Sequence, residues 1–246
     1  MEDRINYLCE WLQGKVEEAS MEGVLVGISG GIDSAVVAFL IKRAFPEQSL
    51  GVLLPIHKKM EEQKEALEVV EAADLDYIGI ELTEPYSVTY DTIKQQLHSR
   101  GDWNRDTERL RGANLQARLR MSTLYAVAGN YNYLVVGTDN AAEDYTGYFT
   151  KYGDGGVDLN PLLHLRKEEV REMAVALGVP ESIVKKKPSA DLWEGQTDEE
   201  ELGVSYDAID SFLKGKDIEE EAEQQLKERH RKTQHKREVP AAPEPF

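Results

Sequence analysis

Between Val24 and Leu82 short apolar runs alternate with longer amphipathic ones: Val24 to Ile28, Ser34 to Phe45, Leu50 to Leu54, Met60 to Ala73 and Tyr77 to Leu82. A strand wetted on one face alternates apolar and polar residues, whereas strands buried on both faces read as continuous apolar runs, as these do. Such strands are parallel and need right-handed helical crossovers, so the pattern predicts βαβαβ. A long helix from about Arg105 to Tyr131 and a fourth strand, Tyr133 to Gly137, extend it. The expected fold is therefore α/β, a doubly wound and mostly parallel sheet flanked by helices in three layers. Ligands of such sheets bind beyond the carboxyl ends of the strands, where the winding reverses. The loops after Ile28 and Gly137 are where chemistry is expected.

The rest of the chain reads as additions to one domain spanning residues 1–246. Residues 1–20 form an amphipathic helix with Ile5, Leu8, Cys9, Leu12 and Val16 on one face. A stretch of Gly, Asp, Tyr and Thr at 145–161 and a second polar stretch at 185–201 read as loops around a helix from Lys167 to Leu177. Two charged helices, Ser205 to Leu213 and Asp217 to Arg231, precede a proline-rich tail at 239–246. The net charge of -17 argues against the broad basic surface that nucleic-acid binding needs. A polyanionic ligand must be met by a local cluster. With Cys9 alone, no disulfide or multi-cysteine zinc site can form within the chain, which suits a reducing cytoplasm. No apolar run is long enough to span a membrane, so a soluble, cytoplasmic protein is expected.

The most informative string is Gly27-Ile28-Ser29-Gly30-Gly31-Ile32-Asp33-Ser34, directly after the first strand and directly before a helix. Glycines admit backbone N–H groups to an anion, serine hydroxyls add donors, and the helix start adds roughly half a positive charge. It is not the Walker pattern, having no Lys before its last Ser. Asp33 is the telling residue. An acid inside an anion cradle repels phosphate unless a cation intervenes, so Asp33 implies Mg²⁺. The string resembles the signature of the ATP pyrophosphatase superfamily (adenine nucleotide alpha hydrolase type), whose members split ATP between the α and β phosphates and adenylate a substrate.

Further segments resemble the ammonia-dependent NAD synthetases of that superfamily. They are Asn114-Leu-Gln116-Ala-Arg118-Leu-Arg120-Met121, Gly137-Thr138-Asp-Asn-Ala-Ala-Glu143, Gly147-Tyr-Phe149-Thr150-Lys151-Tyr-Gly153-Asp154-Gly155-Gly156-Val-Asp158, Lys167 with Lys185-Lys-Lys-Pro188-Ser189, and His235-Lys236. The resemblance implies that residues 27–34, Thr138, Lys167 and Ser189 contact ATP as co-substrate, and that Asp33 and Glu143 hold Mg²⁺. It assigns Arg118, Lys151, Asp158, His235 and Lys236 to deamido-NAD, and it puts Asp33, Asp154 and Lys167 in the catalytic set. Asp154, placed among glycines that permit close approach, is the expected holder of ammonium and acceptor of its proton, since only the neutral amine is a nucleophile. The loop 185–196, with Trp193, has the makings of a lid that keeps water from an acyl-adenylate.

The activity that the resemblance implies is an ATP-dependent amidation of deamido-NAD with ammonia, giving NAD, AMP and pyrophosphate, by a homodimer whose ammonia comes from solution or a partner. Two alternatives share the phosphate loop: another adenylating enzyme of the superfamily, and a non-catalytic ATP-binding regulator. The segment Leu54-Pro-Ile-His57-Lys-Lys departs from the small-residue loop usual in the family. His57, His98, His164 and His230 show no metal-ligand spacing.

Overall fold

The computed structural model describes residues 1–57, 63–186 and 198–244. Its core is a sheet of four parallel strands, β1 (Gly23–Gly27), β2 (Ser49–Leu53), β3 (Tyr77–Gly79) and β4 (Tyr133–Val136), in the order β3-β2-β1-β4. The chain winds outward from β1 to β3 and then returns to the other side of β1. The reversal therefore falls between β1 and β4, where Val26 pairs with Val136.

Helices cover both faces. On one lie α1 (Glu2–Glu18), α2 (Ile32–Ala44), α3 (Lys64–Ala72) and α7 (Lys167–Leu177), packed with Val24, Val26 and Val136 in one apolar cluster. On the other lie α4 (Thr83–Ser99) and α5 (Glu108–Tyr131), whose Tyr86 and Ala128 join Leu25, Val52 and Val135 in a second. Neighbouring residues of β1 thus serve opposite layers, and every one of Val24, Leu25 and Val26 is fully buried. Burying each such side chain stabilises the sheet by roughly 1.5–3 kcal/mol. Cys9 belongs to the first cluster, its thiol 3.7 Å from the Leu40 carbonyl oxygen.

The third expected strand is shorter than the run Tyr77 to Leu82 suggests, ending at Gly79, and α4 follows where no helix is predicted. Tyr86 is the buried residue of its seventeen, so α4 has no apolar stripe to betray it. Pro85 sits in its first turn, where a missing N–H costs nothing. Beyond β4 come α6 (Ala141–Thr146), then α7, α8 (Glu181–Val184), α9 (Asp198–Leu202), α10 (Tyr206–Leu213), α11 (Glu220–Lys232) and α12 (Gln234–Arg237). A third apolar cluster, with Ala142, Leu202, Tyr206, Ile209 and Leu226, joins α6, α9, α10 and α11 beside the carboxyl end of β4. No helix among the described residues is long and apolar enough to cross a membrane.

Candidate active site

Because β1 and β4 are parallel neighbours, their following loops leave the sheet side by side. Gly30 turns the first loop at φ +80 and tucks it against α3, where a Cβ would come within 2.7 Å of Glu65 Cβ and 2.9 Å of Ala66 N. Only glycine fits that turn and that gap. The loop is closed by its own hydroxyls: Ser29 Oγ lies 3.0 Å from Ser34 Oγ and accepts from Gly31 N at 3.1 Å, while Ser34 Oγ donates to Gly31 O at 3.0 Å. Gly31 is the N-cap of α2 and supplies no side chain to it, so first-turn N–H groups of that helix stay open to an anion.

An ion cluster stands beside this loop. Asn140 caps α6, accepting from Ala142 N at 3.0 Å and Glu143 N at 3.1 Å, while Glu143 Oε2 accepts from Asn140 N at 3.1 Å. The same asparagine donates Nδ2–H to Asp33 Oδ1 at 2.9 Å, so one capping box ties the two acids together across 107 positions of sequence. Lys167 Nζ enters between them, 2.5 Å from Asp33 Oδ2 and 3.4 Å from Glu143 Oε1. Asp210 fixes its helix, accepting from Lys167 N at 3.1 Å and Glu168 N at 2.8 Å. The hydroxyl of buried Tyr206 lies 3.2 Å from Asp198 Oδ2 and 3.5 Å from Glu143 Oε1, and its ring lies under Lys167 Nζ. Burial alone would neutralise this lysine; Asp33 and then Glu143 outweigh it and hold the ammonium charged. Burial pushes Glu143 up to about 7 despite Lys167, with Asp33 adding to the rise.

The facing wall is the glycine-rich loop after α6. Thr150 N donates to Asp154 Oδ1 at 3.0 Å, Thr150 Oγ1 to Asn114 Oδ1 at 2.8 Å, and Arg118 Nη2 to Lys151 O at 3.3 Å. Lys236, from α12, braces it through the carbonyls of Gly147 at 2.8 Å and Phe149 at 2.6 Å. Gly147 itself, at φ +64, abuts Thr233 so closely that a Cβ would lie 2.3 Å from Thr233 Cβ.

Between the walls lies a cavity of about 560 Å³. Of the residues singled out in the sequence, Gly27, Ile28, Ser29, Gly31, Ile32, Asp33, Ser34, Thr138, Glu143, Asp154, Lys167 and Lys236 line it. Gly30, packed against α3, does not. Arg118, Lys151, Asp158 and His235 are not among the lining residues: Arg118 and His235 are exposed, and Lys151 Nζ reaches the His235 and Glu238 carbonyls. Asp158 accepts from Tyr125 OH at 2.9 Å and Val135 N at 2.8 Å. Ser189 lies outside the described residues. Among the described residues no group of three metal-ligating side chains converges; Asp33 and Glu143 converge as a pair.

Sequence reasoning missed Asn140, Asp139, Asp198 and Tyr206. The spacing Asn140-x-x-Glu143 is itself a helix-start signature and was there to be read. Tyr206 and Asp198 carry no such signal, because they reach the site only through the packing of α9 and α10 on α6.

The family model for NAD synthase matches residues 4–240. The NH(3)-dependent NAD(+) synthetase of Alkaliphilus oremlandii is 53% identical over 243 residues, 99% of this chain and 97% of that protein. Among solved structures, the NMN synthetase from Francisella tularensis superposes with a TM-score of 0.89 at 38% identity, covering 98% of each chain. The NH3-dependent NAD synthetase from Campylobacter jejuni does so with a TM-score of 0.77 at 30% identity, over 99% of this chain and 98% of that one.

Proposed function

The chain belongs to the NAD synthase family, and from that premise we propose that it amidates the nicotinate carboxylate of deamido-NAD with ammonia, splitting ATP to AMP and pyrophosphate. The observation that carries this reading is the convergence of Asp33 and Glu143 on one cation, Lys167 Nζ, beside a phosphate loop with open helix N–H groups. Two carboxylates suit Mg²⁺, which keeps several waters and takes its other oxygens from phosphates. When bound there, the ion offsets charge that develops on the leaving pyrophosphate. The loop 28–34 orients the triphosphate, with Lys167 held charged against it. The nicotinate carboxylate attacks the α phosphorus and forms an acyl-adenylate, and ammonia then displaces AMP. Much of the barrier falls to alignment, since well-placed reactants behave as if at effective concentrations of about 10⁵ M or more.

A second acceptor is favoured by one observation: the structure that superposes at a TM-score of 0.89 is named an NMN synthetase. Amidation of the mononucleotide would use the same site without the adenylate half of the dinucleotide. Supplying ammonium and ATP with either acceptor separates the two: specificity constants for deamido-NAD and nicotinate mononucleotide decide which carboxylate is the substrate. ATP binding without acceptor-dependent AMP would sink the amidation altogether.

The protein works as a homodimer in the cytoplasm on this reading. Supporting the pairing, α4 and α5 leave Val88 61% and Leu110 62% exposed, and Tyr125 and Tyr131 join them on the surface. Exposed Arg118 donates to the Lys151 carbonyl of the glycine-rich loop, where a dinucleotide could reach across to a second copy. Leu110→Glu is expected to yield monomers by light scattering; a dimer that persists unchanged moves the interface elsewhere.

A further inference from the structure

Asp139 follows Thr138 at the carboxyl end of β4, on the cavity wall, and is 8% exposed. Among the described residues its carboxylate has no hydrogen-bond or ion-pair partner, which sets it apart from the other buried acids. Glu143 and Asp33 share Lys167, Glu169 has Arg4 and Arg166, and Asp210 has two backbone N–H groups. A buried carboxylate costs several kcal/mol unless paired. Every charge acting strongly on it is negative: after burial itself, Asp154, Glu143, Asp33 and Asp144 all push its pKa well up. The charged form of Asp139 therefore needs a cation close by.

Resting on the amidation proposed for this cavity, we infer that Asp139 docks the ammonium ion that supplies the amide nitrogen. Its position fits: one residue beyond Thr138 at the carboxyl end of β4, it lines the same cavity as the phosphate loop, so a small cation held there shares the space in which the carboxylate is adenylated. Four N–H donors on a compact ion suit an unpartnered carboxylate in a pocket with further acceptors around it. Asp154, the residue expected from sequence, is a weaker candidate. Its Oδ1 already accepts from Thr150 N, and the positive charges of Arg120 and Lys236 act on it. A second cation is less favoured there than at Asp139.

The test is steady-state amide formation by the full chain, with ammonium chloride varied at saturating ATP, Mg²⁺ and acceptor, for wild type, Asp139→Asn and Asp154→Asn. Asp139→Asn is expected to raise the KM for ammonium about tenfold or more, as a charge-assisted partner becomes neutral. The KM for ATP, the Mg²⁺ requirement and ammonium-free ATP–pyrophosphate exchange are expected to stay within about twofold. A merely structural role would shift those constants together. An ammonium KM unchanged in Asp139→Asn overturns the assignment, and so does a rise confined to the Mg²⁺ requirement, which would make Asp139 a metal ligand. Should Asp139→Asn melt far below wild type, Asp139→Ser is judged by the same constants. Wild type that makes no amide from ammonium contradicts the amidation reading itself, so the two failures are distinct.

Discussion

Helix α7 carries two ion clusters only two residues apart, and they are built on opposite principles. At Glu169 one acid is met by two arginines, Arg4 at 2.7 Å and Arg166 at 2.9 Å. Burial would raise its pKa, but hydrogen bonds from Arg4 and the Arg166 backbone outweigh that and lower it. At Lys167 one cation is shared by two acids, with Asp139 unmatched nearby, and Glu143 is pushed up to about 7. The first cluster is balanced and fastens α1 to α7. The second is left deficient in positive charge, and that deficit is what a cation and a nucleotide can fill.

The sharpest way to break the contrast is to neutralise the deficient cluster. Asp33→Asn or Glu143→Gln is expected to lower AMP formation at least about 10²–10³-fold, the loss seen when one preorganised electrostatic group is removed, with the circular dichroism spectrum unchanged. Near-normal turnover would show that the pair is not the metal site. Lys167→Met comes next. Stripping a buried cation from two acids is expected to cost about 3–5 kcal/mol in urea unfolding, and added Mg²⁺ should raise its Tm more than that of wild type. Equal gains for both would mean the acids do not compete for one cation position. Glu169→Gln has the smallest effect, a fall of a few degrees in Tm with amidation preserved. Since the pKa of Glu169 is depressed on folding, its contribution is present above the ordinary carboxylate range and is lost as pH falls through the lowered value. The variant and wild type should therefore converge in stability at acid pH; a gap that stays constant would remove the charge from the explanation.

The same contrast explains what was legible in the sequence. The sheet, its winding and its switch point were readable because β1, β2 and β4 are buried on both faces, and burial writes itself as unbroken apolar runs. Helix α4 was not, since Tyr86 alone is buried in it and its other faces follow no apolar period. In the site, residues 27–34 could be placed because a loop, a strand end and a helix start are contiguous. Lys167 and Glu143 could be named only through the family pattern, their meeting with Asp33 being a product of packing between distant elements. Asp139 was invisible for a different reason. What distinguishes it is the absence of a partner in space among the described residues, and no local pattern of letters records that.

The bracing of the glycine-rich loop has a consequence for how the molecule is made. Lys236 holds the Phe149 carbonyl from 87 residues further along the chain, and Thr233 closes on Gly147. A ribosome releases the strands, the phosphate loop and Asp33 well before it releases that brace, and synthesis proceeds at roughly 5–20 residues per second. For several seconds the nascent protein therefore owns a nucleotide cradle whose opposite wall is held by Asn114 and Arg118 but lacks its later brace. Completion of the cavity is timed by translation, so a synonymous slow codon late in the message would prolong a half-built site without altering a single residue.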